Sequence, residues 1–238
     1  MGEPILQVDN LRVSYDDFIA VDDVSLCVEA GEIVSLVGLN GAGKSTLMNT
    51  VAGLMQPNAG SVRFRGEEIT GLPAERIVSR GLSLVPQGGR CFNNLSVQDN
   101  LLMGSYPKNV RKQAAAALQR VYELFPMLEE KKNSPAGTLS GGQRQMVAIG
   151  RALMGRPSCL IFDEISLGLA PAVIKDIYRR IAQINETEKT AVVLIEQDTR
   201  RALDASERYY VMLKGRIVLS GRSAQIDADA LKKAYFGV

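Results

Sequence analysis

Residues Gly38-Leu39-Asn40-Gly41-Ala42-Gly43-Lys44-Ser45-Thr46 match the phosphate-loop pattern G-x-x-x-x-G-K-[ST] at every fixed position. No other stretch constrains the chain as much, because the pattern prescribes a strand before it and a helix after it. The apolar run Ile33-Val34-Ser35-Leu36-Val37 has strand character, and Thr46 to Ala52 reads as a helix. Glycines let backbone N–H groups curl around a polyphosphate without a Cβ clash. The helix start adds partial positive charge, Lys44 can reach β- and γ-phosphates, and Ser45 can offer its hydroxyl to Mg²⁺. The four fixed positions coincide by chance in roughly one chain of this length per hundred. A mere glycine-rich turn is therefore the weaker explanation, and a nucleoside triphosphate with magnesium is the expected ligand.

The 238 residues suffice for one large α/β domain with a substantial core. A formal charge of +2 gives no electrostatic case for nucleic acid. No apolar run reaches bilayer-spanning length, and Met1-Gly2-Glu3-Pro4 begins neither a secretory signal nor a transit peptide. Cys27, Cys91 and Cys159 are odd in number and widely spaced, which argues against a disulfide framework or a zinc site. Cytoplasmic residence is expected. The chain contains no histidine, so any general base must be a carboxylate or a less usual group.

In chain order, Ile5–Val8, Leu11–Tyr15 and Val24–Val28 are predicted strands, followed by the strand and helix of the phosphate loop. Ser61–Arg65 is a further strand and Pro73–Arg80 a short helix with Pro in its first turn. Gly81–Val85 is a buried strand ending at Pro86-Gln87. From Gly88 the pattern turns helical, with loops at Ser105–Asn109 and Asn133–Gly137 and a helix over Arg111–Phe125. This block reads as a helical insertion between strands of the core. Leu139-Ser140-Gly141-Gly142-Gln143 opens another helix with Ser140 as N-cap, and its two glycines, just ahead of the helix, make an anion-friendly terminus. Pro171–Thr187 is a helix, Thr190–Ile195 a buried strand, and Arg208–Met212 with Arg216–Ser220 a hairpin turned at Lys214-Gly215. The tail from Ala224 to Phe236 is predicted helical.

Cys159-Leu160-Ile161-Phe162-Asp163-Glu164 is an apolar run ending in two acids. Such a strand presents carboxylates where ligands bind in parallel α/β sheets. Asp163 is placed to hold Mg²⁺, directly or through water, and Glu164 to position and deprotonate an attacking water.

These residues together resemble the ATP-binding-cassette (ABC) ATPase family over essentially the whole chain. GLNGAGKST at Gly38–Thr46, Pro86-Gln87 closing a strand, LSGGQ at Leu139–Gln143 and LIFDE at Leu160–Glu164 occur in family order. The resemblance implies an α/β nucleotide-binding domain spanning 1–238. Its P-loop core would cover about 1–87 and 156–238, with an N-terminal antiparallel β subdomain and a helical subdomain inserted at about 88–155. It implies ATP contacts from Tyr15, stacking on adenine, and from Gly38, Asn40, Gly41, Gly43, Lys44, Ser45 and Thr46. It implies Mg²⁺ contacts from Ser45, Gln87 and Asp163, and catalytic roles for Glu164 as base, Lys44 and Gln197. Ser140, Gly141, Gly142 and Gln143 would meet ATP held by another subunit. Two positions depart from the common pattern: Ile165 stands where proline often follows the acidic strand, and Gln197 stands where the switch histidine is usual. A neutral amide donor is roughly half as strong as a charged one, so slower hydrolysis is expected.

Ser166–Pro171, Ile195-Glu196-Gln197, Asn100–Gly104 and the ending Ala234–Gly237 look like the F-type ATP-binding subunits of branched-chain amino acid importers, in which Gln197 is the group's own pattern. Relatives in that group serve urea or short-chain amides. The resemblance implies a second, different ATPase subunit, two transmembrane permease subunits, an indirect link to a solute-binding protein, no nucleic acid, and a peripheral place on the inner face of the membrane. A non-transport ABC ATPase is the rival from another class; the absence of room for a coiled coil, of CxxC pairs and of a second loop-plus-signature set counts against it.

Overall fold

A computed structural model of the chain describes residues 4–226 and Leu231. β1 (Leu6–Tyr15) and β2 (Phe18–Val28) form an antiparallel hairpin, and β3 (Ile33–Val37) runs through the phosphate loop into α1 (Lys44–Val51). β4 (Ala59–Phe64), β5 (Glu67–Glu68), α2 (Ala74–Arg80) and β6 (Leu82–Val85) follow. The next stretch is helical: α3 (Val97–Leu102), α4 (Lys108–Arg111), α5 (Ala114–Leu124), α6 (Pro126–Glu130) and α7 (Gly141–Leu153). β7 (Cys159–Asp163), α8 (Pro171–Glu188), β8 (Ala191–Glu196), α9 (Thr199–Asp204), β9 (Arg208–Leu213) and β10 (Arg216–Arg222) complete the order.

The strands make two sheets. One is antiparallel, in the order β2-β1-β4-β5; the other runs β10-β9-β3-β8-β7-β6, parallel from β9 to β6 with β10 antiparallel at its edge. β3, β7 and β8 are buried at every residue, which is why their sequences read as continuous apolar runs. Leu47, Met48 and Val51 of α1 join one core with the antiparallel sheet and one face of the mixed sheet. On the opposite face, α3, α5, α6, α7 and α8 pack a second core against Val85, Leu160, Phe162 and Leu194.

Three expectations are corrected. Leu6–Val8 of the first predicted strand and the whole of Leu11–Tyr15 belong to one strand, β1: its register shifts between Val8 and Leu11, with Asn10 at φ 47°, so both apolar residues face inward despite their odd spacing. The single helix over Arg111–Phe125 is instead α4 and α5, broken at Lys112-Gln113, and α4 starts inside the predicted loop because Pro107 precedes it as N-cap. Pro73 is likewise the N-cap of α2, not a first-turn residue. Ser223–Gln225 forms one 3₁₀ turn; apart from Ile226 and Leu231, the rest of the predicted C-terminal helix lies outside the described residues. Among the described residues no helix is long and apolar enough to cross a membrane.

Candidate functional site

The phosphate loop, the ends of β6, β7 and β8, and the start of α1 meet at one edge of the mixed sheet. An open cleft of about 400 Å³ there is lined by Asn40, Gly41, Ala42, Gly43, Lys44, Ser45, Thr46, Gln87, Glu164, Leu167 and Gln197. Parallel strands β6, β7 and β8 all deliver their C-terminal ends to it, which brings together residues up to 157 positions apart in sequence, from Asn40 to Gln197.

Two loop glycines are required by the protein's own backbone as much as by any ligand. A Cβ on Gly38 would lie 2.3 Å from the Met212 carbonyl oxygen, and one on Gly43, at φ 101°, would lie 2.3 Å from that of Ala20. The loop is thus wedged between β9 and β2. No side chain caps the first turn of α1, and no acid sits in it, so its N-terminal amides face the cleft in the manner of an anion site. Lys44, only 4% exposed, folds back over the loop: Nζ donates to the carbonyls of Gly38 at 2.8 Å and Leu39 at 3.1 Å.

Glu164 occupies the centre of the site. Its Oε1 lies 3.5 Å from Lys44 Nζ, and its Oε2 accepts from Gln197 Nε2 at 2.6 Å and from Gln87 Nε2 at 3.5 Å. Its backbone is left-handed, φ 45°, a conformation that non-glycine residues adopt at a cost of order 1–3 kcal/mol unless their surroundings hold them. The Glu164 N–H donates to the Ile195 carbonyl at 3.0 Å, one such hold. Beside it, Asp163 Oδ1 accepts from Ser45 Oγ at 3.0 Å. Burial pushes the Asp163 carboxyl up; the Ser45 hydrogen bond opposes this, the Glu164 charge adds to it, and Lys44 and Arg90 counter it. The Ser45 hydroxyl and Asp163 carboxylate form an all-oxygen pair suited to a hard cation such as Mg²⁺, which takes one or two protein ligands plus phosphate oxygens and water.

Other predicted site residues lie apart from this cleft. Tyr15 is half-exposed at the end of β1, its hydroxyl 3.4 Å from Thr46 Oγ1 and donating to Met55 Sδ at 3.1 Å. Ser140, Gly141, Gly142 and Gln143 do not line the cleft. Nor do the two glycines precede the helix: they are its first residues, with Ser140 as N-cap. Ser140 Oγ accepts from the Gln143 N–H and Gln143 Oε1 from the Ser140 N–H, a capping box. Gly142 is where α7 meets α8, since a Cβ there would lie 2.5 Å from Val173 Cγ1. Sequence reasoning overlooked Leu167, exposed at the cleft wall, and gave no role to Glu196, buried at the end of β8; its only signal was an acid ending an apolar strand.

A parallel-sheet core, an uncapped phosphate-loop helix and two adjacent acids at the C-terminal end of β7 define a P-loop nucleotide-hydrolysing cassette. Residues 21–166 match the ABC transporter family, and the chain belongs to that family as one of its ATP-hydrolysing cassettes. It is 43% identical to the high-affinity branched-chain amino acid transport ATP-binding protein BraG of Pseudomonas aeruginosa, over 98% of this chain and 100% of that one. BraF of the same organism, with the same description, is 34% identical over 100% and 99% of the two chains. Among solved structures, the ADP conformation of an ATP-binding cassette of an ABC transporter superposes with a TM-score of 0.84 at 27% identity, covering 98% of this chain and 94% of the other.

Proposed function

We propose that this chain is the ATP-hydrolysing subunit of an importer of branched-chain or other hydrophobic amino acids, with Glu164 as the catalytic base. The observation that carries the site reading is the placement of Glu164: one carboxylate held between Lys44, Gln87 and Gln197 at the mouth of the phosphate loop.

The reaction is attack of a water oxygen on the γ-phosphorus of ATP in line with the bond to the β–γ bridging oxygen, which breaks as ADP leaves; the water proton passes to Glu164. Lys44 exchanges its carbonyl partners for β- and γ-phosphate oxygens, and the α1 amides neutralise charge on the phosphates. As the phosphates draw Lys44 away, Oε1 of Glu164 becomes free to accept from water, while Gln197 and Gln87 keep its other oxygen oriented. Ser45 and Asp163 would hold Mg²⁺, assisted by Gln87, and the ion would supply positive charge that offsets that of the phosphates. Tyr15, beside Thr46, would stack on adenine. Asn40, Gly41, Gly43 and Thr46 complete the cradle.

Ser140, Gly141, Gly142 and Gln143 stand away from this chain's own cleft, which supports their meeting ATP held by a second cassette. Two different relatives in one organism share a branched-chain amino acid transport description, which supports a heterodimer. That description also favours amino acids over urea or amides as cargo. The transmembrane permease subunits would dock beside Gln87, where a groove of about 280 Å³ lined by Val78, Pro86, Met103, Tyr106 and Arg151 separates α2 from the helical segment. Exposed Met103 and Tyr106 supply the apolar contact. The helical segment at 88–155 would then act as the inserted subdomain that transmits closure, a solute-binding protein would deliver cargo on the far side, and the chain would sit on the inner membrane face. The test is Glu164→Gln: nucleotide should still bind while phosphate release from the assembled complex stops, and normal turnover would remove Glu164 from the role of base.

A further inference from the structure

Glu196 is the last residue of β8 and is 2% exposed. Burying a carboxylate is strongly unfavourable unless hydrogen bonds replace its hydration. Here they come from two elements outside its own strand. Oε2 accepts from Ser166 Oγ at 2.9 Å, and Oε1 accepts from Tyr178 OH of α8 at 2.7 Å. Both Glu196 neighbours are engaged at the site: the Ile195 carbonyl takes the Glu164 N–H, and Gln197 donates to the Glu164 carboxylate. Glu164 is therefore gripped on both sides. Upstream, its strained backbone hangs on Ile195; downstream, Ser166, two residues on, is tied to Glu196.

We propose that Glu196 is a positioning residue for ATP hydrolysis, a buried clamp that fastens the turn after β7 to the end of β8 and so sets where Glu164 and Gln197 meet. This rests on Glu164 being the base. A left-handed glutamate persists only while its surroundings over-determine it, and the Ser166–Glu196–Tyr178 bridge is the part of those surroundings that spans three elements. A mere core acid would need hydroxyl partners from anywhere; this one draws one from the turn that carries Glu164 and holds it to the strand that carries Gln197. Releasing the clamp lets Glu164 relax and misaligns proton acceptance, leaving the phosphate loop that binds ATP untouched.

The experiment measures steady-state ATP hydrolysis and equilibrium ATP binding for the full chain in its assembled complex, with Ser166→Ala, Tyr178→Phe and Ser166→Thr. Loss of one hydrogen bond to a charged group corresponds to about a tenfold fall in kcat. Ser166→Ala and Tyr178→Phe should each show it, with KM and ATP affinity within twofold of the parent, and Ser166→Thr should restore the rate because it keeps the hydroxyl. Parental kcat in both alanine and phenylalanine variants, or kcat and KM shifting together without rescue, would overturn the clamp. Glu164→Gln assayed alongside separates the two readings. If it turns over normally, the assignment of the base fails; if it is inactive while Ser166→Ala and Tyr178→Phe both run at the parental rate, only the clamp fails.

Discussion

Gln197 Nε2 donates to Glu164 Oε2 at 2.6 Å, joining the ends of two parallel strands across the cleft. The amide stands where a histidine is usual in resembling chains, and here it grips the very carboxylate assigned as base. Gln197→Ala removes a donor to a charged group, about 1.5–3 kcal/mol, so turnover should fall about 10- to 100-fold with ATP affinity preserved. Gln197→His should raise turnover of the assembled complex, because an imidazolium is a charge-assisted donor; an unchanged rate would show that the charge is immaterial.

Lys44 is nearly buried and satisfied by two loop carbonyls before any phosphate arrives. Its substitution removes the only ammonium placed between the loop and Glu164 among the ion pairs described. Lys44→Ala is expected to weaken ATP binding at least tenfold, about 1.4 kcal/mol, as read by fluorescence titration or calorimetry. Unchanged affinity would count against the loop as the nucleotide site.

Asn100 tests a position whose interest is structural. Fully buried on α3, its Nδ2 donates to the carbonyls of Phe92, Leu95 and Ser96, and its Oδ1 accepts from the Phe92 N–H at 2.8 Å. The side chain thereby holds the entry to the helical segment. Asn100→Ala takes the side-chain acceptor from the Phe92 N–H and empties a fully buried position, and should cost about 3 kcal/mol, on the order of 10 °C in Tm, measured by thermal or urea unfolding. A shift below about 1 °C would mean that water replaces the amide at no cost.

Glu196 also makes a pH prediction. Burial pushes its carboxyl up; hydrogen bonds from Tyr178 and Ser166 and the charge of Arg201 oppose this, and the Glu164 charge adds to it. A raised folded-state value means the folded chain takes up a proton before the unfolded chain does. The ionised group therefore weighs against folding above its folded-state pKa, and this is relieved as pH falls toward the ordinary glutamate range. Relative to Glu196→Gln, the parent should gain stability as pH drops from neutrality toward that range, whatever the offset between the two at neutral pH. Parallel stability–pH curves from urea unfolding would refute it.

What could be read from sequence was what depends on short-range chemistry. Gly38–Thr46 dictates its own turn, Ser140 its own cap, and the apolar runs of β3, β7 and β8 their burial, because each is set by residues a few positions apart. Register and helix breaks were less accessible. The shift at Asn10 follows from which side chains the antiparallel sheet must bury, and the early start of α4 from Pro107 acting as its N-cap. Neither leaves a periodic signal.

The sequence by itself determined that the chain carries a phosphate loop, an acidic strand end and a second glycine-bearing helix start in the order of the ABC family. Only the tertiary structure decided how they combine. It set Gln87, Gln197 and Lys44 around one carboxylate, withheld residues 140–143 from that cleft, and buried Glu196 against Ser166 and Tyr178. The physical reason is sheet order: β3, β8, β7 and β6 lie side by side although they are far apart in the chain, and their shared C-terminal edge converts distant residues into one site.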